Sequence, residues 1–134
     1  MTVQGTTPRW RAGWPVRAVA LLTTVYSVAI VVAPKVLAKP CGLLDATGAV
    51  PTPVAELTRS TGVRDAALAL SLAVSPAGYP MAVLTAARVV SDGTDAVWFS
   101  RLAPRSQRGK IAGVAAGWAV LELLTALAAN RTSR

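Results

Sequence analysis

The apolar stretch from Pro80 to Phe99 carries Arg88, Asp92 and Asp95, spaced by four and then three residues, which stacks all three on one face of a helix. The apolar stretch before it carries Arg64 and Asp65, and the one after it carries Glu122. Ionisable groups inside segments this greasy leave few architectures open. An Arg or Asp at the centre of a lipid-embedded helix costs about 2.5–3.5 kcal/mol, whereas each Leu or Val returns only about 0.3–0.6 kcal/mol. Such groups are retained in hydrocarbon when they pair with one another or serve a function. The chain is therefore expected to fold as an all-α, membrane-embedded four-helix bundle closed around an ionic layer.

The rest of the composition agrees with that expectation. At 134 residues, 53% hydrophobic and with a mean hydropathy of +0.48, the chain reads as one domain, too apolar for an ordinary soluble protein of its size. The net charge of +8 invites a nucleic-acid reading, which the positions of the charges oppose. Arg9, Arg11, Arg17, Lys35, Lys39, Arg59, Arg101, Arg105, Arg108, Lys110, Arg131 and Arg134 all lie outside the middles of the apolar segments, where anionic headgroups attract cations. There is no aromatic-rich basic surface, so no nucleic-acid partner is expected. With Cys41 the only cysteine and no histidine, the chain has no intrachain disulfide, no ordinary Cys/His metal site and no Cys-His nucleophile pair. Neither a metal nor a cofactor is expected. The context Lys39-Pro40-Cys41-Gly42 also lacks the small apolar approach of a lipoprotein acylation site.

A crossing helix needs roughly 20 mostly apolar residues. Four segments are read as spans, at about 15–34, 53–75, 80–100 and 110–129, giving a multi-pass protein of the cell membrane. The first has the charged-then-apolar layout of an export signal, but it is long for a signal core, and Lys35 sits before the passable cleavage site Val36-Leu37-Ala38, so an uncleaved span is favoured. Trp10 and Trp14 are available to anchor it at the interface. Thr52-Pro53 suits a helix start, with Thr52 as the cap, and Pro76-Ala77-Gly78-Tyr79-Pro80 suits a tight turn. Gly113 and Gly117 give the fourth span a small-xxx-small face for close approach of another helix, and a homo-oligomer is compatible with it. The positive-inside rule favours a cytoplasmic loop between the third and fourth spans and external termini.

Depths follow from about 1.5 Å of rise per residue. Measured from the Pro76–Pro80 turn, Arg64 and Asp92 both lie ~18 Å deep and Arg88 ~12 Å. Glu122, counted from the opposite face after Lys110, falls at the level of Arg88, and Tyr26 near that of Arg64 and Asp92. The expected pairs are Arg64 with Asp92, and Arg88 with Asp65 or Glu122. Four carboxylates against two arginines leave an acidic excess, so at least one of Asp95, Asp65 and Glu122 is expected to hold a proton at neutral pH. Proton-holding carboxyls are the groups that acid-base chemistry and proton coupling use. Buried ion pairs also serve simply to fix helix register, and Asp95 lies close enough to the far interface to be solvated.

Asp92-Gly93-Thr94-Asp95 has the D-x-x-D form of a magnesium-diphosphate site, but the chain has no second such motif and Arg88 would compete with the metal. It also lacks the remaining ligands of a calcium loop. No nucleophile elbow, P-loop or dinucleotide fingerprint is present. The element Gly62-Val63-Arg64-Asp65 opening the second span, followed by Arg88 and Asp92 in the third, resembles an uncharacterised family of small bacterial four-helix membrane proteins. That family is broadly similar to the DoxX-like group, and its members carry a Gly-[Ile/Val]-Arg-Asp element and a downstream Asp. The resemblance covers the second to fourth segments and implies a four-helix membrane bundle without fixing an activity.

The functional expectation is a buried Arg/Asp/Glu layer opening onto a pocket that binds a lipophilic small molecule, such as a lipid, quinone or polyketide-like metabolite. Whether the chain is an enzyme is left open. Acid-base cyclisation or isomerisation fits the residues best, with Asp92 or Asp95 as acid or base, Arg64 and Arg88 orienting carboxylates or stabilising an oxyanion, and Asp65 and Glu122 completing the set. Tyr26 and Trp118 are the candidates for substrate contact. The alternatives are a non-enzymatic membrane subunit with a structural ionic core and a small proton-coupled carrier.

Overall fold

In the computed structural model, residues 13–132 are described and fold into helices alone. These are α1 (Trp14–Val32), α2 (Lys35–Ala38), α3 (Thr52–Val74), α4 (Tyr79–Leu102) and α5 (Arg105–Thr132). Trp10, Arg9, Arg11 and Arg134 lie outside the described residues.

Proline sets most of the breaks. The residue before a proline is driven out of the helical region, and Ala33 (ψ 81°), Ser75 (ψ 140°) and Ala103 (ψ 151°) each end a helix in front of Pro34, Pro76 and Pro104. Gly78, at φ 110°, makes the reversal into α4 that the Pro76–Pro80 segment predicts. Two boundaries differ from the sequence reading. Pro51 occupies the N-cap of α3, so Thr52 is already helical and supplies no side-chain cap. The last helix starts at Arg105, because only Ala103 and Pro104 separate it from α4. The long connection after α1 also holds structure that the sequence reading left open: the four-residue α2, then a turn in which Asp45 accepts from the Thr47 hydroxyl (2.7 Å) and from the amides of Thr47 and Ala49 (2.9 Å each). Those bonds, the Thr47 hydroxyl foremost, hold the Asp45 carboxyl below the usual carboxylate range.

The four long helices alternate in direction and form a ring. α1 packs against α3 and α5, and α4 packs against α3 and α5, so α1 lies diagonally across from α4. Arg17 donates to the Ser75 carbonyl (3.0 Å), fixing the start of α1 to the end of α3. Two apolar clusters close the ends. Val16, Ala20, Leu72 and Met81 pack at one, and Ala38, Cys41, Leu43, Phe99 and Ala103 at the other.

Between those clusters polar and charged side chains are buried beside apolar ones such as Ile30 and Ala69, while many large aliphatic side chains face outward. Arg88 is 2% exposed and Glu122 4%, and Ser27, Thr58 and Thr61 are also buried, while Val25, Val32, Val90 and Leu124 are each more than half exposed. Buried threonines return their hydroxyls to the helix, Thr23 to the Val19 carbonyl and Thr85 to that of Met81. Among the described residues, one helix, Trp14–Val32, is both long and apolar enough to cross a membrane, with a mean hydropathy of 1.8 over its best window. A Cβ at Gly113 or Gly117 of α5 would meet nothing within 4 Å, so among the described residues no helix packs into the small-residue notch.

Among the described glycines, Gly62 is the one with the least room for a side chain. A Cβ there would stand 2.7 Å from Val31 Cγ2, 2.8 Å from the Ser27 carbonyl oxygen and 2.9 Å from Ile30 Cγ1. One of those atoms is backbone and cannot swing aside. Gly62→Ala is therefore expected to cost about 1–3 kcal/mol through overpacking. Gly93→Ala, on an open face of α4 where a Cβ meets nothing within 4 Å, should be neutral or mildly stabilising. Thermal unfolding followed by circular dichroism in detergent checks the pair; equal melting temperatures for the two variants would contradict the close approach.

Candidate functional site

The ring of helices delivers Arg64 and Asp65 from α3, Arg88, Asp92 and Asp95 from α4, and Glu122 from α5 to one layer. At its centre Arg88 Nε donates to Glu122 Oε1 at 2.6 Å, with both side chains at 3–4% exposure. Arg88 Nη1 reaches the Asp65 backbone carbonyl at 3.3 Å, and Nη2 lies 3.4 Å from Asp92 Oδ2. One guanidinium thus ties three helices together. The depth count that set Glu122 level with Arg88 agrees with this contact, and Glu122 is the side-chain partner of the two expected; Asp65 contributes its carbonyl.

The expected pair of Arg64 with Asp92 does not form. Arg64 Nη2 instead donates to Asp95 Oδ2, and Arg64 also bonds Asp65 Oδ1 (3.0 and 3.2 Å). The reason is the direction of side chains on a helix. They lean towards the N-terminus of their own helix, and in an antiparallel pair the N-terminal direction of α3 is the C-terminal direction of α4. Arg64 consequently reaches past the level of Asp92 to Asp95, one turn further on. Asp92 is left to Arg88, four residues before it on the same helix. Asp95, with its side chain 17% exposed and held by Arg64, is part of the layer and not a solvated end.

The layer floors a cavity of about 540 Å³ lined by all four long helices. Its polar end is lined by Asp65, Arg88, Asp92 and Asp95, and its walls are apolar, including Leu22, Ile30, Phe99, Ile111 and Val114. Tyr26 and Trp118 both line it, Trp118 on α5 and Tyr26 on α1. At the far end lie Pro40, Cys41 and Lys110. Phe99 lies eleven residues after Arg88 on α4, which makes the cavity ~16 Å long. Arg64 and Glu122 do not line it. They hold Asp95 and Arg88, so both act as positioning residues. The wall residues were not singled out in the sequence because an apolar side chain facing a cavity and one facing a neighbour have the same helical spacing.

Carboxylate oxygens of Asp65, Asp92 and Asp95 lie within 4.8 Å of one another. This is the spacing of a metal cluster, but Arg64 already occupies Asp65 and Asp95, so a metal would have to displace a guanidinium. At the far end, burial pushes the Cys41 thiol up, partly offset by the Lys110 ammonium, which keeps it a protonated and weakly reactive group.

No protein-family model, curated protein or solved structure matches this chain.

Removing one partner of a buried ion pair strands the other charge, at about 3–5 kcal/mol. Arg88→Leu and Glu122→Leu are each expected to destabilise by about that amount, and the double variant by less than the two combined, with a coupling of about 0.5–3 kcal/mol. Chemical unfolding in detergent gives the cycle. Strict additivity would show that the two side chains do not interact.

Proposed function

We propose that this protein is a multi-pass membrane protein that binds a lipophilic small molecule in its central cavity and presents that molecule with proton-transfer groups. The observation that carries the reading is the cavity itself. At about 540 Å³ it falls within the ~300–1,000 Å³ of small-molecule sites, and its apolar walls end on a few convergent polar groups. Support for the membrane comes from the many Leu and Val side chains on the outside and the ionisable Arg88, Asp65 and Glu122 inside. The apolar character of α1 and the basic residues Lys35, Arg105, Arg108 and Lys110 near helix ends add to it.

In this reading the apolar body of the ligand packs against Trp118, Tyr26 and the aliphatic walls. Asp92 and Asp95 stand at the floor as acid or base. Arg88, fixed by Glu122, faces the same space and can orient a carboxylate or stabilise developing negative charge, and Arg64 acts through Asp95. A cyclisation or isomerisation needs only such a proton donor and acceptor around a held substrate. The competing reading, a purely structural ionic layer, is favoured by the placement of Glu122 away from the cavity, but it gives no account of the open volume beside Asp92.

Trp118 offers a direct test. With Trp10, Trp14 and Trp98 changed to Phe, emission comes from the cavity alone. Titration with the neutral lipophile decylbenzoquinone in detergent should quench it saturably at one equivalent. Ala115→Phe, which fills the cavity, should leave only the linear quenching of a quinone dissolved in the micelle. Linear quenching in the parent protein would contradict the proposal.

A further inference from the structure

Beside the central cavity, with Ala96 in the wall between them, lies a second concavity on the outer side of the α4–α5 corner. It is a groove of about 330 Å³ lined by Ala96, Val97, Ser100 and Arg101 of α4 and by Arg108 and Ala112 of α5. Arg101 lies in the last turn of α4 and Arg108 in the first turn of α5, so the short Ala103-Pro104 connection sets the two arginines at one level. Both guanidiniums are already held. Arg101 stands over the Trp98 ring, 5.4 Å from its centroid, and Arg108 Nε donates to the Ala103 carbonyl at 3.3 Å. Groups fixed in this way lose less freedom on meeting a ligand. The acidic residues nearest this end do not offset the pair. Asp45 is committed to its own turn, Glu56 belongs to α3, which does not line the groove, and Asp95, next to Ala96 in the chain, turns inward to Arg64. Among the described residues neither Arg101 nor Arg108 has an ion-pair partner, and Lys35, Lys39, Arg59, Arg105 and Lys110 add charge of the same sign at this end.

Two neighbouring guanidiniums suit a phosphate, whose oxygens accept their paired N–H bonds, and Ser100 adds a hydroxyl. Below the arginines the groove is apolar. Val97 lies four residues before Arg101 and Ala112 four residues after Arg108, each ~6 Å further towards the middle of the bundle. The same helical rows continue to Gly93 and Ala116, and a Cβ at Gly93 would meet nothing within 4 Å, so the chain itself does not fill the furrow there. A water-borne phosphate would leave that apolar stretch uncovered, whereas a phospholipid carries an anion and an acyl chain in the order in which the groove presents their complements. A choline headgroup brings its own cation to an end of the bundle that is already positive, and a headgroup of net negative charge does not. We infer that the α4–α5 groove is a binding site for an anionic membrane phospholipid, with the phosphate between Arg101 and Arg108 and an acyl chain along Val97 and Ala112. This rests on the membrane part of the reading above and not on the contents of the cavity.

Native mass spectrometry of the full chain, released from vesicles of phosphatidylglycerol and phosphatidylcholine in equal amounts, reads which lipid stays bound. One phosphatidylglycerol per chain should be retained, in roughly tenfold preference over phosphatidylcholine. Changing both Arg101 and Arg108 to Gln should remove the preference, whereas changing Lys35 and Lys39 to Gln, at the same end but outside the groove, should keep it. Ala112→Leu, at an exposed position, should lower retention by filling the groove, and it keeps the location testable if the arginine variant does not fold. Equal retention of the two lipids by the unaltered chain would overturn the inference. Loss of the preference in both double variants would overturn it in favour of a diffuse basic rim. Displacement of the lipid by inorganic phosphate would overturn it in favour of a water-borne anion. A chain that does not enter vesicles at all would overturn the membrane reading with it, an outcome distinct from a chain that enters and shows no preference.

Discussion

A guanidinium that is almost wholly removed from solvent must find its partners inside the molecule, and Arg88 finds them on three helices. Its Nε holds Glu122 of α5, its Nη1 the backbone of α3 at Asp65, and its Nη2 approaches Asp92 of its own helix. Taking two charges out of water costs several kcal/mol per ion, so contacts of this kind stabilise only when geometry is close and the remaining polar atoms are satisfied. The rest of the bundle can be read as the frame that brings that geometry close. Pro104 sets the register that puts Glu122 beside Arg88, and the Pro76–Gly78 turn sets the one that puts Asp65 there.

The opposite side of the ring is organised by size instead of charge. Gly62 lets α3 settle onto α1 at Ser27, Ile30 and Val31, and Arg64 and Asp65 follow within one turn. The Gly-Val-Arg-Asp element thereby acquires a physical reading: the glycine brings the helices together, and the charged pair beside it faces α4, where Asp95 receives Arg64. Tight packing of α1 on α3 and ionic contact of α4 with its neighbours leave an unfilled volume on the bundle axis. The acidic residues meet the apolar walls there.

Much of this was legible in the sequence, and the failures have definite causes. Prolines marked the helix ends because their effect on the preceding residue is local. The level of Glu122 with Arg88 followed from helical rise, counted from the Pro76–Pro80 turn for Arg88 and from the opposite face for Glu122, across a core of about 30 Å. The partner of Arg64 was misread because counting residues locates Cα atoms, whereas a long side chain reaches a full turn along its helix. Thr52 was misplaced as a cap because the backbone changes from extended to helical one residue earlier, at Pro51 (φ −57°, ψ 142°). A pocket beside the ionic layer, with Tyr26 and Trp118 at it, was expected, but its remaining walls could not be read. Whether Leu22, Phe99 or Val114 faces a neighbour or empty space depends on how all four helices pack, and no single segment carries that information. The apolar character of α1 and the charge-bearing interiors of α3 to α5 were equally plain in the sequence, and they point to a bundle whose later helices depend on one another for burial of their charges.

The claim on which all of this depends is that Arg88 and Glu122 meet inside the bundle. Solid-state NMR of protein in lipid, with 15N in arginine side chains and 13C in glutamate carboxyls, measures the dipolar coupling between Arg88 Nε and the Glu122 carboxyl carbon, assigned by loss of the signal in Glu122→Gln. A strong coupling, consistent with the 2.6 Å N–O contact, and an Nε–H protected from exchange with water are the predicted results. Absence of the coupling, with Arg88 Nε–H exchanging at the rate of a free arginine side chain, would contradict the account.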